Sequence, residues 1–175
     1  DASGILDWID REQGQRHTGS QTLERFLESP DASQRFEQEC KVLRQLRTSD
    51  VGLYVIDVRE PVLGKYRDEL AVLSLCARPL LPLLNFVASP DSRESEWREA
   101  LGRLGLHAVI SLDSVVYVLD DELRLYEKLR SMLDSHREPL GRLMEARSQE
   151  ARWLERAAAE IVADMLLDVA SHTLI

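Results

Sequence analysis

The feature that most limits how this chain can fold is a change of hydrophobic period, repeated three times. Residues 51–57 (Val-Gly-Leu-Tyr-Val-Ile-Asp), 79–86 (Pro-Leu-Leu-Pro-Leu-Leu-Asn-Phe) and 108–112 (Ala-Val-Ile-Ser-Leu) are short apolar runs. Each is too short for a buried helix, so each is read as a buried strand. Between them the apolar residues return at helical spacing: Tyr66, Leu70 and Leu73 within 62–76, then Trp97, Leu101 and Leu104 within 91–104. The strands follow one another at about thirty residues, the length of one βαβ unit, which predicts right-handed crossovers and a parallel sheet. Pro82 is awkward inside the second run, because proline donates no ladder hydrogen bond; it fits near a strand start or a sheet edge. Gly105 is the expected C-cap of the helix before the third strand.

Upstream, residues 1–12 carry Ile5, Leu6, Trp8 and Ile9 in a short helical or turn-like segment, and the polar, glycine-containing stretch 13–20 is read as a loop. A short helix is expected from Ser20 to Glu28, with Leu23, Phe26 and Leu27 on one face. Ser29-Pro30-Asp31 is a stop-and-restart signal, and the helix after it presents Phe36, Cys40, Leu43 and Leu46 as one stripe. Downstream, a helix from Glu122 to about Asp134 closes the α/β layer, and a break is placed near Arg137. From Pro139 onward Leu140, Leu143, Leu154, Ile161, Met165 and Val169 lie on one stripe of a long amphipathic helix. The expected organisation is therefore an α/β domain over 1–135 and a helical arm over 136–175.

Charge excludes one large class of partner. With 22 basic and 31 acidic residues the formal net charge is −9, and the arginines are interleaved with glutamates, as in Arg93-Glu94 and Arg98-Glu99. A surface of that sign repels a phosphate backbone, so no direct nucleic-acid binding is expected. Cys40 and Cys76 sit inside apolar helical patterns and are read as buried small hydrophobes in a reducing compartment. His17, His107, His136 and His172 are scattered without metal-ligand spacing, so no metal site is expected. No stretch reaches the roughly 18 apolar residues of a spanning helix, and no signal-peptide pattern is seen.

An open parallel sheet binds its ligand at the carboxyl ends of its strands. That singles out the loops after Asp57, after Asn85 and after Leu112. Asp57 is read as a loop hydrogen-bond acceptor, and Lys65 and Arg67 as a solvated helix face beside Asp68 and Glu69.

The run Asp50-Val-Gly-Leu-Tyr-Val-Ile-Asp-Val-Arg-Glu-Pro, the Lys65-Tyr-Arg-Asp-Glu-Leu helix and Arg78-Pro-Leu-Leu-Pro-Leu-Leu-Asn together carry a resemblance. They resemble the second half of a translation-factor-class GTPase domain, and more closely that of bacterial Era/TrmE-like P-loop GTPases with an additional C-terminal domain of unknown function. The resemblance implies an α/β fold: part of a three-layer P-loop GTPase-like domain over 1–135 with a mostly parallel sheet, then a long C-terminal helical segment. It sets Asn85 at the Asn of the Asn-Lys-x-Asp base-recognition motif. It sets Ser111 in the loop that carries the family's Ser-Ala-x motif under the guanine. Phe86 stands where that motif has Lys, and Ala88 where it has Asp. An alanine cannot accept the guanine N1 and N2 hydrogen bonds, which leaves Asp91 or Asp113 as substitutes. No G-x-x-x-x-G-K-[ST] occurs in these residues, and Asp1-Ala-Ser-Gly4, although it has the Asp-x-x-Gly letters, is not read as the magnesium-holding segment. The resemblance places both upstream of Asp1.

Three readings follow. In the first, the intact protein is a bacterial cytoplasmic switch that binds and hydrolyses GTP, with GDP and Mg2+ held mainly by the upstream half. These residues then supply the base pocket (Asn85, Ser111) and a helical effector arm, and alone bind no cofactor and catalyse nothing. Any peripheral association with the inner membrane would come from other regions. In the second, this is a nucleotide-independent α/β interaction module whose C-terminal helix binds a protein partner or pairs with itself. The third, a stand-alone enzyme on a flavodoxin-like sheet, finds no nucleophile–base pair to support it.

Overall fold

The computed structural model describes residues 2–12, 18–113 and 118–172. The chain divides into two compact units, residues 1–116 and 117–175, ahead of the boundary expected at 135. The first runs α1 (Ala2–Glu12), α2 (Gly19–Glu28), α3 (Pro30–Gln34), α4 (Glu37–Thr48), β1 (Gly52–Asp57), α5 (Gly64–Ser74), β2 (Leu80–Asn85), α6 (Glu94–Arg103) and β3 (Ile110–Ser111). The second runs α7 (Leu119–Met132), a 3-10 turn (Asp134–His136) and α8 (Arg137–His172). This is a mixed α/β chain, mostly helical, with one small parallel sheet and a long C-terminal helix. The expected loop at 13–20 lies outside the described residues as far as residue 17.

Local chemistry sets the helix ends. Thr18 opens α2 with a reciprocal cap: its Oγ1 accepts from Gln21 N, while Gln21 Oε1 accepts from Thr18 N at 3.1 Å. Ser29 ends α2 and starts α3, its Oγ accepting from Ala32 N at 3.3 Å with Pro30 in the first turn. The single helix expected after Pro30 is in fact two, interrupted at Arg35 and Phe36. Phe36 leaves the helix to become the N-cap of α4, and its ring packs edge-on to Phe26 at 5.7 Å. Gly105 has φ +77 after α6, and Leu106 N donates back to Leu101 O at 2.9 Å, the expected glycine stop.

The strands are parallel in the order β1-β2-β3. β1 pairs with β2 from Gly52↔Leu80 to Asp57↔Asn85, whereas β2 meets β3 only at Leu83↔Ile110 and Leu84↔Ser111. Pro82 is thus in the central strand, not at an edge, and it accounts for the shortness of β3. Pro79 and Asn85 offer their carbonyls to β1, through Gly52 N and Val58 N, while Leu84 O accepts from Leu112 N on the β3 side. Even-numbered residues of β2 therefore face β3, and at Pro82 there is no N–H to carry the ladder lower. The expected strand 108–112 shrinks to Ile110–Ser111.

Two clusters form the core of the first unit. One gathers Ile5, Ile9, Leu23, Phe26, Cys40 and Leu43 from the N-terminal helices with Val72, Cys76 and Leu80. The other gathers Ile56, Val58, Leu70, Leu84, Trp97 and Leu101 beneath α5 and α6. Each such side chain contributes about 1.5–3 kcal/mol when fully buried. Gly52 lies close to its neighbours: a Cβ there would stand 2.7 Å from Leu80 Cδ2 and 2.8 Å from Leu46 Cδ1, so those leucine side chains would have to shift. Leu104, expected inside, is 40% exposed at the end of α6.

The second unit is a helical hairpin with no buried residue on α7 or α8. Arg147 spans the two helices, Nε donating to Glu122 Oε1 at 2.9 Å and Nη2 to Oε2 at 3.1 Å. Tyr126 OH donates to the same carboxylate at 2.7 Å.

Candidate functional site

Asp57, Asn85 and Ser111 end β1, β2 and β3, and parallel pairing brings all three to one rim. Asn85 stands opposite Asp57, and Ser111 opposite Leu84, one step below Asn85. The two residues expected to read a base are therefore neighbours on adjacent strands.

Each is already engaged. Asn85 Oδ1 accepts from Phe86 N at 2.9 Å and so braces the turn in which Phe86 takes φ +63. That left-handed backbone is uncommon for an aromatic residue, and the Asn85 hydrogen bond helps hold it. Ser111 Oγ hydrogen-bonds Glu94 Oε1 at 2.5 Å and accepts from Arg98 Nη2 at 2.6 Å, while Arg98 Nε donates to Glu94 Oε1 at 2.8 Å. The Ser111 hydroxyl, followed by Arg98, holds the Glu94 carboxyl below its ordinary value against the opposing pull of burial. Ser111 is thereby fastened to the first turns of α6.

The loop after β1 completes the rim. Asp57 Oδ1 accepts from Arg59 N at 3.0 Å, and its two oxygens take the guanidinium at 2.9 and 2.6 Å. This is the loop hydrogen bonding expected of Asp57. The arginine holds the Asp57 carboxyl below its ordinary value. The same guanidinium lies over the Phe86 ring at 3.9 Å from its centroid. Arg93 N donates to Val58 O at 2.8 Å, tying the loop after β2 to the loop after β1. Sequence reasoning missed Arg59 and the Glu94–Arg98 pair. The Asp57-x-Arg59 and Glu94-x-x-x-Arg98 spacings signal each ion pair, but neither spacing says that Phe86 or Ser111 joins it.

One sizeable cavity lies away from this rim. It has a volume of about 990 Å³ and lies along the outer edge of β1, lined by Val42, Leu46, Val51, Leu53, Tyr54 and Lys65 among others. Gly52 N and Val58 N bond toward β2, so the odd-numbered residues Leu53 and Val55 turn their backbone groups to the open edge. Their side chains are 48% and 62% exposed. Tyr54 OH donates to Glu69 Oε2 at 2.6 Å, and burial first, then that carboxylate, raises the phenol well above its ordinary range. Lys65 and Arg67 are exposed on α5, as a solvated face requires. Cys40 and Cys76 are free and buried, and burial raises both thiols. Among the described residues no group of three or more His, Cys, Asp or Glu side chains could hold a metal ion. No described helix is long and apolar enough to cross a membrane.

Comparison with known proteins adds one match. A family model described as a domain of unknown function (DUF3482) matches residues 98–175, from within α6 through α8. No curated protein and no solved structure matches the chain.

Proposed function

We propose that this chain forms the base-recognition side and the helical arm of a guanine-nucleotide switch. In that switch GTP or GDP and Mg2+ are held mainly by a phosphate-binding loop supplied by further residues of the same protein. The observation that carries the reading is the meeting of Asn85 and Ser111 at the carboxyl ends of adjacent parallel strands, where open α/β sheets take their ligands. The Asn85 amide carries donor and acceptor atoms of the kind a purine edge matches, its Oδ1 also accepting from Phe86 N. Phe86, in place of the motif lysine, gives the base a flat face to lie against, with Arg59 on the same ring. Asp91, in the loop after β2, is the carboxylate that would replace the acceptor lost at Ala88.

Two further features support a larger, three-layer P-loop fold. Among the described residues no strand pairs with the outer edge of β1 beside exposed Leu53 and Val55, a liability unless another strand pairs there. The match to a domain of unknown function overlaps the region, from about residue 136, where the GTPase resemblance expects an additional domain. Hydrolysis, a cytoplasmic location and the absence of nucleic-acid partners belong to this same proposal.

Calorimetric titration of the full-length protein with GTP, GDP and ATP, each with magnesium, tests it. Guanine nucleotides are expected to bind, and Asn85→Ala to weaken them about tenfold, the effect of a lost hydrogen bond at a desolvated edge. Unchanged affinity in Asn85→Ala would remove the base-reading role. The 175-residue chain alone is expected to bind no nucleotide better than about millimolar, because phosphate contacts dominate affinity in such sites.

A second reading, compatible with the first, is favoured by α8. Trp153, Leu154, Ile161, Val162, Met165, Leu166, Leu167 and Val169 are all more than half exposed. Such a concentration of apolar surface on one helix marks a docking element.

A further inference from the structure

We infer that the C-terminal half of α8 is the docking face for a basic amphipathic helix of a partner protein. The inference rests on the second reading above and names the partner's chemistry. Leu154, Ala158, Ile161, Met165 and Val169 recur at spacings of four, three, four and four. With Val162 they fill a strip about 100° wide on a helix that turns about 100° per residue. No residue of α8 is buried, so the strip has no cover within the described residues. It runs about 23 Å at 1.5 Å per residue, enough to seat roughly four turns of another helix.

Charge selects the occupant. On the same helical projection Glu155 borders one side of the strip, and Asp164 and Asp168 border the other. Arg156, the one Lys or Arg of this half, lies on the opposite side. An apolar strip between acidic borders complements an apolar strip between Lys or Arg borders. A second copy of this chain fits the strip but not the borders. Antiparallel pairing would put Leu154 against Val169 and Ala158 against Met165, yet bring Asp164 of each copy beside Glu160 of the other, because like borders meet in such a pair. A chain of net charge −9 has little to offset that repulsion. A bilayer is disfavoured for the same reason, since interfacial helices border their apolar face with Lys and Arg.

The test uses the 175-residue chain and three labelled peptides of about 18 residues, about five helical turns. One is a Leu/Lys peptide patterned with a single helical stripe; the second has the same composition in scrambled order; the third is a Leu/Glu peptide with the same stripe. Fluorescence anisotropy should give low-micromolar binding of the striped Leu/Lys peptide, weakened by salt, and at least about tenfold weaker binding of the other two. Ile161→Asp and Met165→Asp each add negative charge, so attraction by charge alone would tighten binding. The inference instead requires a loss of about tenfold or more, with helical content unchanged by circular dichroism. Asp164→Lys with Asp168→Lys should cost about fivefold. Equal binding of the scrambled peptide overturns the proposal. Tighter binding of the Leu/Glu peptide, or a dimer in sedimentation equilibrium, replaces the basic partner while leaving α8 a docking element. No binding by any peptide, from a monomer, removes both.

Discussion

Trp97 and Trp153 show the same side chain put to opposite uses in the two units. Trp97 is 1% exposed, meets Tyr66 edge-on with ring centroids 5.1 Å apart, and donates its indole N–H to Glu60 O at 2.9 Å. Trp153, on α8, is 67% exposed. The contrast extends to the units themselves. The α/β unit hides two clusters of aliphatic and aromatic residues, whereas the helical hairpin buries nothing on either helix and is fastened by Arg147 on Glu122. A surplus of internal packing gives an element its own stability. A surplus of external apolar surface gives it a use for a partner.

Substitutions can break this contrast or sharpen it. The largest effect is expected for Trp97→Ala, which should cost about 3–5 kcal/mol in denaturant unfolding of the α/β unit. Trp153→Ala should stay within about 0.5 kcal/mol; a large loss there would mean that the arm is already covered. Next is Gly52→Val, expected to cost about 1–3 kcal/mol because Leu80 of β2 and Leu46 of α4 would have to move aside for a side chain. Glu122→Ala releases Arg147 and Tyr126 together. Because Arg147 is about a third exposed, the cost is about 1 kcal/mol, read as faster proteolysis within α8.

The smallest effect is pH-dependent. Glu94 has its folded pKa lowered by Ser111 and Arg98. Its contribution is therefore complete above the ordinary carboxylate value and is lost as pH falls through the lowered one. Ser111→Ala should remove less than about 1 kcal/mol at neutral pH and nothing once the carboxyl is protonated. Unfolding curves at neutral and acid pH distinguish this from a simple packing loss, which would persist in acid.

The sequence was most legible where one local rule acts alone. Ser29 before Pro30 is both an end and a beginning, because a hydroxyl cap and a fixed φ need no distant partner. The 51–57 and 79–86 runs are strands because only a short buried strand is apolar throughout. Asn85 and Ser111 share a rim because parallel strands end together. Legibility failed where two rules met. Phe36, Cys40, Leu43 and Leu46 keep helical spacing across a helix break, so periodicity conceals the break at Arg35 and Phe36. The Met165 stripe looks like a core face, and spacing cannot say that it stays exposed among the described residues. A serine at a strand end suggests a residue facing a ligand, while the Ser111 hydroxyl bonds to a carboxylate seventeen residues earlier on α6.

The proline in the middle of β2 has a consequence for how this sheet comes apart. Below Pro82 the sheet is two strands wide; above it, three strands are laced together and tied to α6 through Ser111. Fraying should start at the foot of the sheet, in the amides around Ala108 and Val109, and reach Leu112 last. The rim on which Asn85 and Ser111 stand would then be the part of the seam that survives longest, so a ligand binding there would meet a surface still in place after the first local openings.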